Sequence, residues 1–267
     1  MIAIDSFVVM SRIEFYGADR EALSAPLAVP KIGKPKAPGI VLLPAIAGVN
    51  DYVKLVAHRL STSGFAVAIL DYFAREGGPP DVSTPAAIDV AVNSLPDHRV
   101  LADACGLVDA LREHETIDPE RIGSLGFYNI GGTYSLMLSA ETPNLSASVD
   151  YYGSVRYAKT SDHKPVSPLD RARAIQAPLL AHFGTFDRLI PAADIEALET
   201  ELKRATKQYE LFTYNGAPHA FDEDFRPAAY RPVASELAWK RTVTFLDWHL
   251  KGVPDDKNSS SNRKGAS

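Results

Sequence analysis

A chain of 267 residues that is 46% hydrophobic, 9% aromatic and 23% charged has a globular composition, which excludes a disordered tail protein, a collagen-like fibre and a coiled coil. Its 28 Lys and Arg against 33 Asp and Glu leave a net charge of −5, so there is no cationic footprint for nucleic acid or an anionic membrane. The single cysteine, Cys105, rules out an internal disulfide and any cysteine-based structural zinc site.

The chain opens on MIAIDSFVVMSR, with an acid where a secretory leader carries positive charge, and a cytoplasmic protein is expected. β-Branched and aromatic residues at 7–10 and 13–16, ahead of Gly17, predict strand. A second candidate covers 25–29, and a polar connector with prolines and a glycine covers 31–38. The unbroken apolar run Ile40-Val41-Leu42-Leu43 predicts a strand buried on both faces. After a loop over 45–50, Val53, Val56, Ala57 and Leu60 recur at helical spacing until Gly64 stops the helix. A second buried strand over 65–70 ends in Asp71-Tyr72-Phe73. This order predicts parallel strands joined by crossover helices. The apolar stretches at 39–49 and 65–70 fall far short of the ~20 residues a membrane helix needs.

Gly77-Gly78-Pro79-Pro80 leads into two helical stretches, the second carrying Leu101, Ala104, Cys105, Val108 and Leu111 on one face. Further strands are predicted at 122–126, 147–151, 178–183 and 209–214, with a helical pattern between the first two. A helix from about Pro191 and a long one over 232–250 complete a single α/β domain over 1–253; 254–267 reads as a disordered polar tail. The expected architecture is one open, mostly parallel sheet of about eight strands with helices on both faces. The chain carries no phosphate loop, dinucleotide fingerprint or zinc pattern, and neither cofactor nor metal is expected.

In such sheets ligands bind beyond the carboxyl ends of the strands. The sequence places Ala45 and Ile46, Asp71 and Arg75, the run 127–132, Asp187, and His219 after successive strands. A strand-turn-helix with paired glycines, then an acid, then a histidine is the chain order of the α/β-hydrolases.

The chain resembles the dienelactone hydrolase family over residues 7–251. The stretches that carry the likeness are IVLLPAIAGVNDYVKLVAHRLSTSGF, AVAILDYFAREG, RIGSLGFYNIGG, VDYYGSV, LLAHFGTFDRLIP, YNGAPHAFDEDFRPAAY and AWKRTVTFLDWHL. The resemblance implies an α/β-hydrolase fold and a Cys-His-Asp triad that hydrolyses lactones or esters. It puts Asp187 at the triad acid, His219 at the base, Arg226 in contact with a substrate carboxylate, and the Ile46 N–H in half of an oxyanion hole.

The nucleophile departs from that pattern. Where the family has Gly-x-Cys-x-Gly-Gly, this chain has Gly126-Phe127-Tyr128-Asn129-Ile130-Gly131-Gly132, one residue longer and without Cys or Ser. Aligned from the front, Tyr128 takes the nucleophile position and Ile130 replaces a small residue. Aligned from the back, Asn129 takes it, both glycines fall in place, and the second oxyanion donor is the Ile130 N–H. The back alignment is preferred, because the glycines let the following helix pack closely and a strand end can absorb one residue as a bulge. The family's acidic residue in the first loop is Ala45 here.

Arg75, at a strand end, and Tyr152, beside Tyr151 and Gly153, are further substrate-binding candidates. Cys105 reads as a core thiol, and His182 as a hydrogen-bonded core histidine. Three functions fit. The first is hydrolysis of a small ester or lactone by His219 and Asp187, with Asn129 positioning water or Tyr128 serving as acid or nucleophile. The second is non-hydrolytic proton transfer by the same dyad, as in a lyase, isomerase or cyclase. The third is ligand binding without turnover. Each takes a small molecule, a carboxylate-bearing one if Arg226 engages it, and either a monomer or a homodimer fits.

Overall fold

The computed structural model describes residues 8–31 and 35–252. Eight strands form one sheet, built outward from its most apolar member. That strand, β3 (Ala37–Leu43), is buried at every position, as a run without alternation requires. Its neighbours are β4 (Ala66–Ile69) and β5 (Ile117–Phe127), both parallel to it, with Ile40 opposite Val67 and Gly123. Beyond β5 follow β6 (Ala147–Tyr151), β7 (Leu179–Gly184) and β8 (Tyr209–Tyr214), all parallel. At the other edge β1 (Val8–Tyr16) and β2 (Ala22–Pro30) form a hairpin whose second strand pairs antiparallel with β4. The order is β1-β2-β4-β3-β5-β6-β7-β8.

The two strand pieces expected at 7–10 and 13–16 are one nine-residue strand, which Val8 opens; Phe7 lies outside the described residues. Cross-strand pairing with β2 carries Ser11 and Arg12, which have little strand propensity of their own, through the middle. Strand β5 starts five residues earlier than its apolar run, because Ile117 pairs with Ala37 across a register shift in β3. The polar tail expected over 254–267 lies outside the described residues, as does part of the connector, 32–34.

Helix α1 (Asp51–Thr62) is capped by Asn50, whose Oδ1 accepts from the Val53 N–H at 3.0 Å; it buries Val53, Val56, Ala57 and Leu60. Helices α2 (Pro85–Ser94) and α3 (Asp97–Glu113) follow the Gly/Pro loop. Between β5 and β6 runs α4 (Tyr128–Glu141), buried on nearly all sides. A short α5 (Pro168–Arg171) precedes β7, α6 (Ala192–Arg204) joins β7 to β8, and α7 (Pro232–Leu246) closes the chain. The helix expected to reach Leu250 widens into a π turn over Asp247–Lys251.

The loop from β6 to α5 is held by one buried lysine. Lys164 is 2% exposed and donates to Asp97 Oδ1 (3.0 Å), the Leu95 carbonyl (3.2 Å) and the Tyr134 hydroxyl (3.2 Å). Asp97 also accepts from the hydroxyls of Tyr134 and Tyr157, so α3, α4 and this loop meet at one carboxylate. Removing one partner of a buried pair strands the other charge. Lys164→Met is therefore expected to lower the unfolding free energy by about 3 kcal/mol, read from the urea midpoint; an unchanged midpoint would show that Asp97 needs no cation there.

Candidate active site

The chain reverses sharply between β5 and α4, and the reversal is tight. A Cβ on Gly126 would lie 1.8 Å from the Gly131 carbonyl oxygen, and one on Gly131 would lie 2.1 Å from the Leu43 carbonyl oxygen. Only glycines let the first turn of α4 sit this close to the ends of β5 and β3. The residue that absorbs the turn is Tyr128, with φ 68°, where a bulky side chain is costly. The turn residue of this run is the one that the front alignment picks out. Tyr128, not Asn129, carries the left-handed backbone at the strand-to-helix turn, and the spare residue sits inside α4 as Ile130, buried in the core. The register moves the second oxyanion candidate too: the amide following the turn residue is that of Asn129, not Ile130. The first amides of α4 have no intrahelical acceptor. Ile46 follows β3, whose end packs on the same turn.

His219 and Asp187 meet at the carboxyl ends of β8 and β7. His219 Nδ1 lies 2.7 Å from Asp187 Oδ2. The other carboxylate oxygen accepts from the Leu189 and Ile190 N–H groups at 2.8 and 3.2 Å, a turn that fixes the acid. The Asp187 side chain is fully buried and that of His219 is 15% exposed. With Nδ1 held by the carboxylate, Nε2 is the nitrogen left to exchange a proton.

That nitrogen points into an aromatic enclosure. The His219 ring centroid is 5.4 Å from that of Tyr128 and 5.1 Å from that of Tyr152, and the two tyrosine rings are 5.5 Å apart. His219 Nε2 and the hydroxyls of Tyr128 and Tyr152 are all buried without a hydrogen-bond partner among the described residues. Tyr152 also has a left-handed backbone, φ 45°. Its N–H donates to the His182 carbonyl, and the next amide, Gly153 N–H, donates to Asp150 Oδ1 at 2.7 Å. A cleft of about 610 Å³ opens on the outer side of the pair, with Phe186, Arg188, Leu189 and Pro218 among its lining.

The arginines part company. Arg226 stays at the site, its Cζ 5.5 Å from the Tyr128 ring. Arg75 donates Nη1 to Asp103 Oδ2 at 2.5 Å and Nη2 to Oδ1 at 2.8 Å, and also pairs with Glu21. Since Asp103 also takes the Ala18 N–H, Arg75 ties the β1–β2 turn to α3 and stands apart from the aromatic enclosure. Cys105 is partly buried and its thiol is pushed up to about 11 by burial, so it stays protonated. His182 is a core histidine: its nitrogens pair with Thr242 Oγ1 (3.0 Å) and the Tyr214 hydroxyl (2.9 Å), and burial pushes it down to about 3. Two carboxylates near the enclosure, Asp150 and Glu223, have no sequence motif to announce them.

An open parallel sheet of this strand order, with an acid and a histidine on successive strand-end loops and a left-handed residue entering the central helix, defines the α/β-hydrolase fold. Within it, the chain belongs to the dienelactone hydrolase family, whose family model matches residues 23–250. It is 40% identical over 236 residues to a Bradyrhizobium sp. protein named "Probable 2-oxo-3-(5-oxofuran-2-ylidene)propanoate lactonase", covering 88% of this chain and 93% of that one. It is 31% identical over 222 residues to the "Putative carboxymethylenebutenolidase" of Escherichia coli K12, covering 83% and 79%. The crystal structure of a "Putative Dienelactone Hydrolase" from Klebsiella pneumoniae superposes with a TM-score of 0.82 at 27% identity, over 90% of this chain and 98% of that one. Among the described residues no helix is long and apolar enough to cross a membrane.

Asp150 gives the site a pH signature. Burial raises its carboxyl from 3.8 to about 7, against the opposing pull of the Gly153 N–H. Between about pH 4 and 7 the folded chain therefore holds a proton that the unfolded chain has released, and stability falls as pH rises through that window. Glu223, raised from 4.5 to about 7 by burial, adds to the same fall. Asp150→Asn is expected to shrink the stability difference between pH 5 and pH 8 by roughly 2 kcal/mol or more, measured by urea unfolding at both; an unaltered difference would mean that Asp150 is ionised throughout.

Proposed function

We propose that this protein hydrolyses a small unsaturated lactone bearing a carboxylate, with Tyr128 as nucleophile and His219 as base. The observation that carries the reading is the 2.7 Å contact of His219 Nδ1 with Asp187 Oδ2, beside a tyrosine that holds the strand-to-helix turn. A histidine oriented by a buried acid is in its working tautomer, and Nε2 takes the proton.

In the first half-reaction Nε2 removes the phenol proton of Tyr128 as the phenolic oxygen attacks the lactone carbonyl. The tetrahedral oxyanion faces the N–H groups of Asn129 and Ile46, each strong donor contributing roughly 3–4 kcal/mol. The ring C–O bond then breaks, and the leaving enol oxygen takes the proton back from His219. The acyl group is now an aryl ester of Tyr128. Water, deprotonated by His219, attacks it, and the phenol departs with its proton restored. A phenol is more acidic than a serine hydroxyl, and its aryl ester is reactive enough for water to complete the cycle.

The substrate class is drawn from two supports. The Bradyrhizobium relative is named for an oxofuranylidene propanoate, a lactone with a carboxylate tail. Arg226 offers a cation beside the Tyr128 ring for that tail.

His219→Ala is expected to lower kcat on a dienelactone and on an activated aryl ester by about 10²-fold or more. Hydrolysis at background by the parent chain on both substrates would sink the reading. Tyr128→Phe should lose a comparable factor, and mass spectrometry of the parent, quenched during turnover of the aryl ester, should find the acyl group on the Tyr128 peptide. If Tyr128→Phe keeps its rate within about tenfold, water attacks the carbonyl directly and the tyrosine is no nucleophile.

A further inference from the structure

Arg226 is half out of the protein, its side chain 54% exposed, yet one flank faces a buried acid: its Nε lies 2.9 Å from Oε2 of Glu223, which is 3% exposed. The contact is bent, so Oε2 receives the positive charge but no aligned hydrogen bond among the described residues. The loop that carries both residues is a run of successive turns. The Glu223 N–H donates to the Ala220 carbonyl, the Arg226 N–H to Glu223, the Tyr230 N–H to Arg226 and the Arg231 N–H to Phe221. Glu223 is thereby held against the Nε of Arg226, whose side chain is half exposed and whose Cζ lies 5.5 Å from the Tyr128 ring centroid.

We propose that Glu223 positions Arg226 over Tyr128 and that a substrate carboxylate binding at Arg226 is taken up together with a proton, which Glu223 accepts. The identity of the anion as substrate rests on the lactone-hydrolase reading; the coupling does not.

One guanidinium cannot neutralise two carboxylates, and a second anion brought to its outer edge leaves the inner one without compensation in a poorly solvated place. The cheapest response is to protonate the buried carboxylate. Glu223 is suited to this, because burial has already raised its carboxyl to about 7, against the pull of Arg226 and with a push from Asp224. The other groups facing it do not substitute. Asp222 is engaged by the Tyr52 hydroxyl at 2.6 Å and by Ser235 Oγ, and Tyr52, reaching across from α1, is itself held in its neutral form by burial. Asp224 is exposed and keeps its solvent. From α4 the Tyr128 ring approaches Arg226, and it brings no positive charge.

The test uses furan-2-carboxylate, a flat five-membered ring with one carboxylate that cannot be hydrolysed. Calorimetric titration of the full chain at pH 8, in two buffers of different ionisation enthalpy, should show uptake of close to one proton per molecule bound. At pH 5.5, where Glu223 already holds its proton, uptake should be near zero. The affinity should fall by up to tenfold per pH unit above about 7. In Glu223→Gln, shown to be folded by its urea midpoint, the uptake should vanish and the affinity should lose its pH dependence. Absent binding, zero uptake by the parent chain at pH 8, or uptake that persists in Glu223→Gln because His219 is the acceptor, each overturns the proposal. Turnover plays no part in the measurement. Proton-coupled binding by a chain that hydrolyses neither lactone nor ester would leave this inference standing and remove the hydrolase reading; lactone hydrolysis without proton uptake would do the reverse.

Discussion

The close approach of α4 to the sheet is the constraint on which the site depends. Gly126 and Gly131 bring the first turn of the helix into contact with the ends of β5 and β3, with no room for a Cβ on either. A chain that must leave β5 and enter a helix at that distance has to turn within one residue, and Tyr128 pays the conformational cost with a left-handed backbone. The strain has a structural return. It lifts the Tyr128 side chain out of the sheet towards His219, and it leaves the unsatisfied amides at the start of α4 beside the loop that carries Ile46. Behind the turn, buried hydroxyls of Ser124, Ser135 and Ser148 bond one another and lock α4 to β5 and β6. The strained residue is thus braced by a helix that has no freedom to relax it.

Around that turn the protein has built a buried aromatic compartment. Asp187 has both oxygens satisfied, which lets it remain buried beside His219 and set the ring's orientation. Tyr152 closes the other side with a second left-handed backbone, held by the His182 carbonyl on one peptide and by Asp150 on the next. Charges that enter such a compartment act at low dielectric and interact strongly, for or against the chemistry. The same property makes Asp150 and Glu223 hold their protons to about pH 7.

The departures from the family pattern form a consistent set. Where the resemblance implies a thiol, the chain has Tyr128 at the strand-to-helix turn, and where it implies an acidic residue in the first loop it has Ala45. A carboxylate is nevertheless present on a different loop: Glu223, facing Arg226. Arg75 has been drawn into the fold, where its bidentate contact with Asp103 fixes the β1–β2 turn. That leaves Arg226 as the guanidinium over the Tyr128 ring.

Much of the architecture was legible in the linear chain, because it follows from short-range rules. The unbroken apolar run of β3, the helical spacing of Val53 to Leu60 and the Gly64 stop read directly from burial and propensity, and the order of an acid and a histidine after late strands put Asp187 and His219 at one sheet edge. The motif could not decide the register of the run 126–132. Each alignment meets one part of the glycine pattern and breaks another, and the fold brings in a contact the motif lacks, the approach of the Gly131 backbone to Leu43 across 88 positions of chain. Likewise, Arg75 looked available because Asp103 is 28 residues away in sequence, and Glu223 looked like one of several loop acids until the fold buried it against Arg226. Sequence by itself placed the central strands and most helices and put Asp187 and His219 on successive strand-end loops, since periodicity and chain order are local properties. Which residue stands at the turn, which arginine is free and which carboxylate is out of water were decided by tertiary structure alone, because distance and desolvation have no linear code.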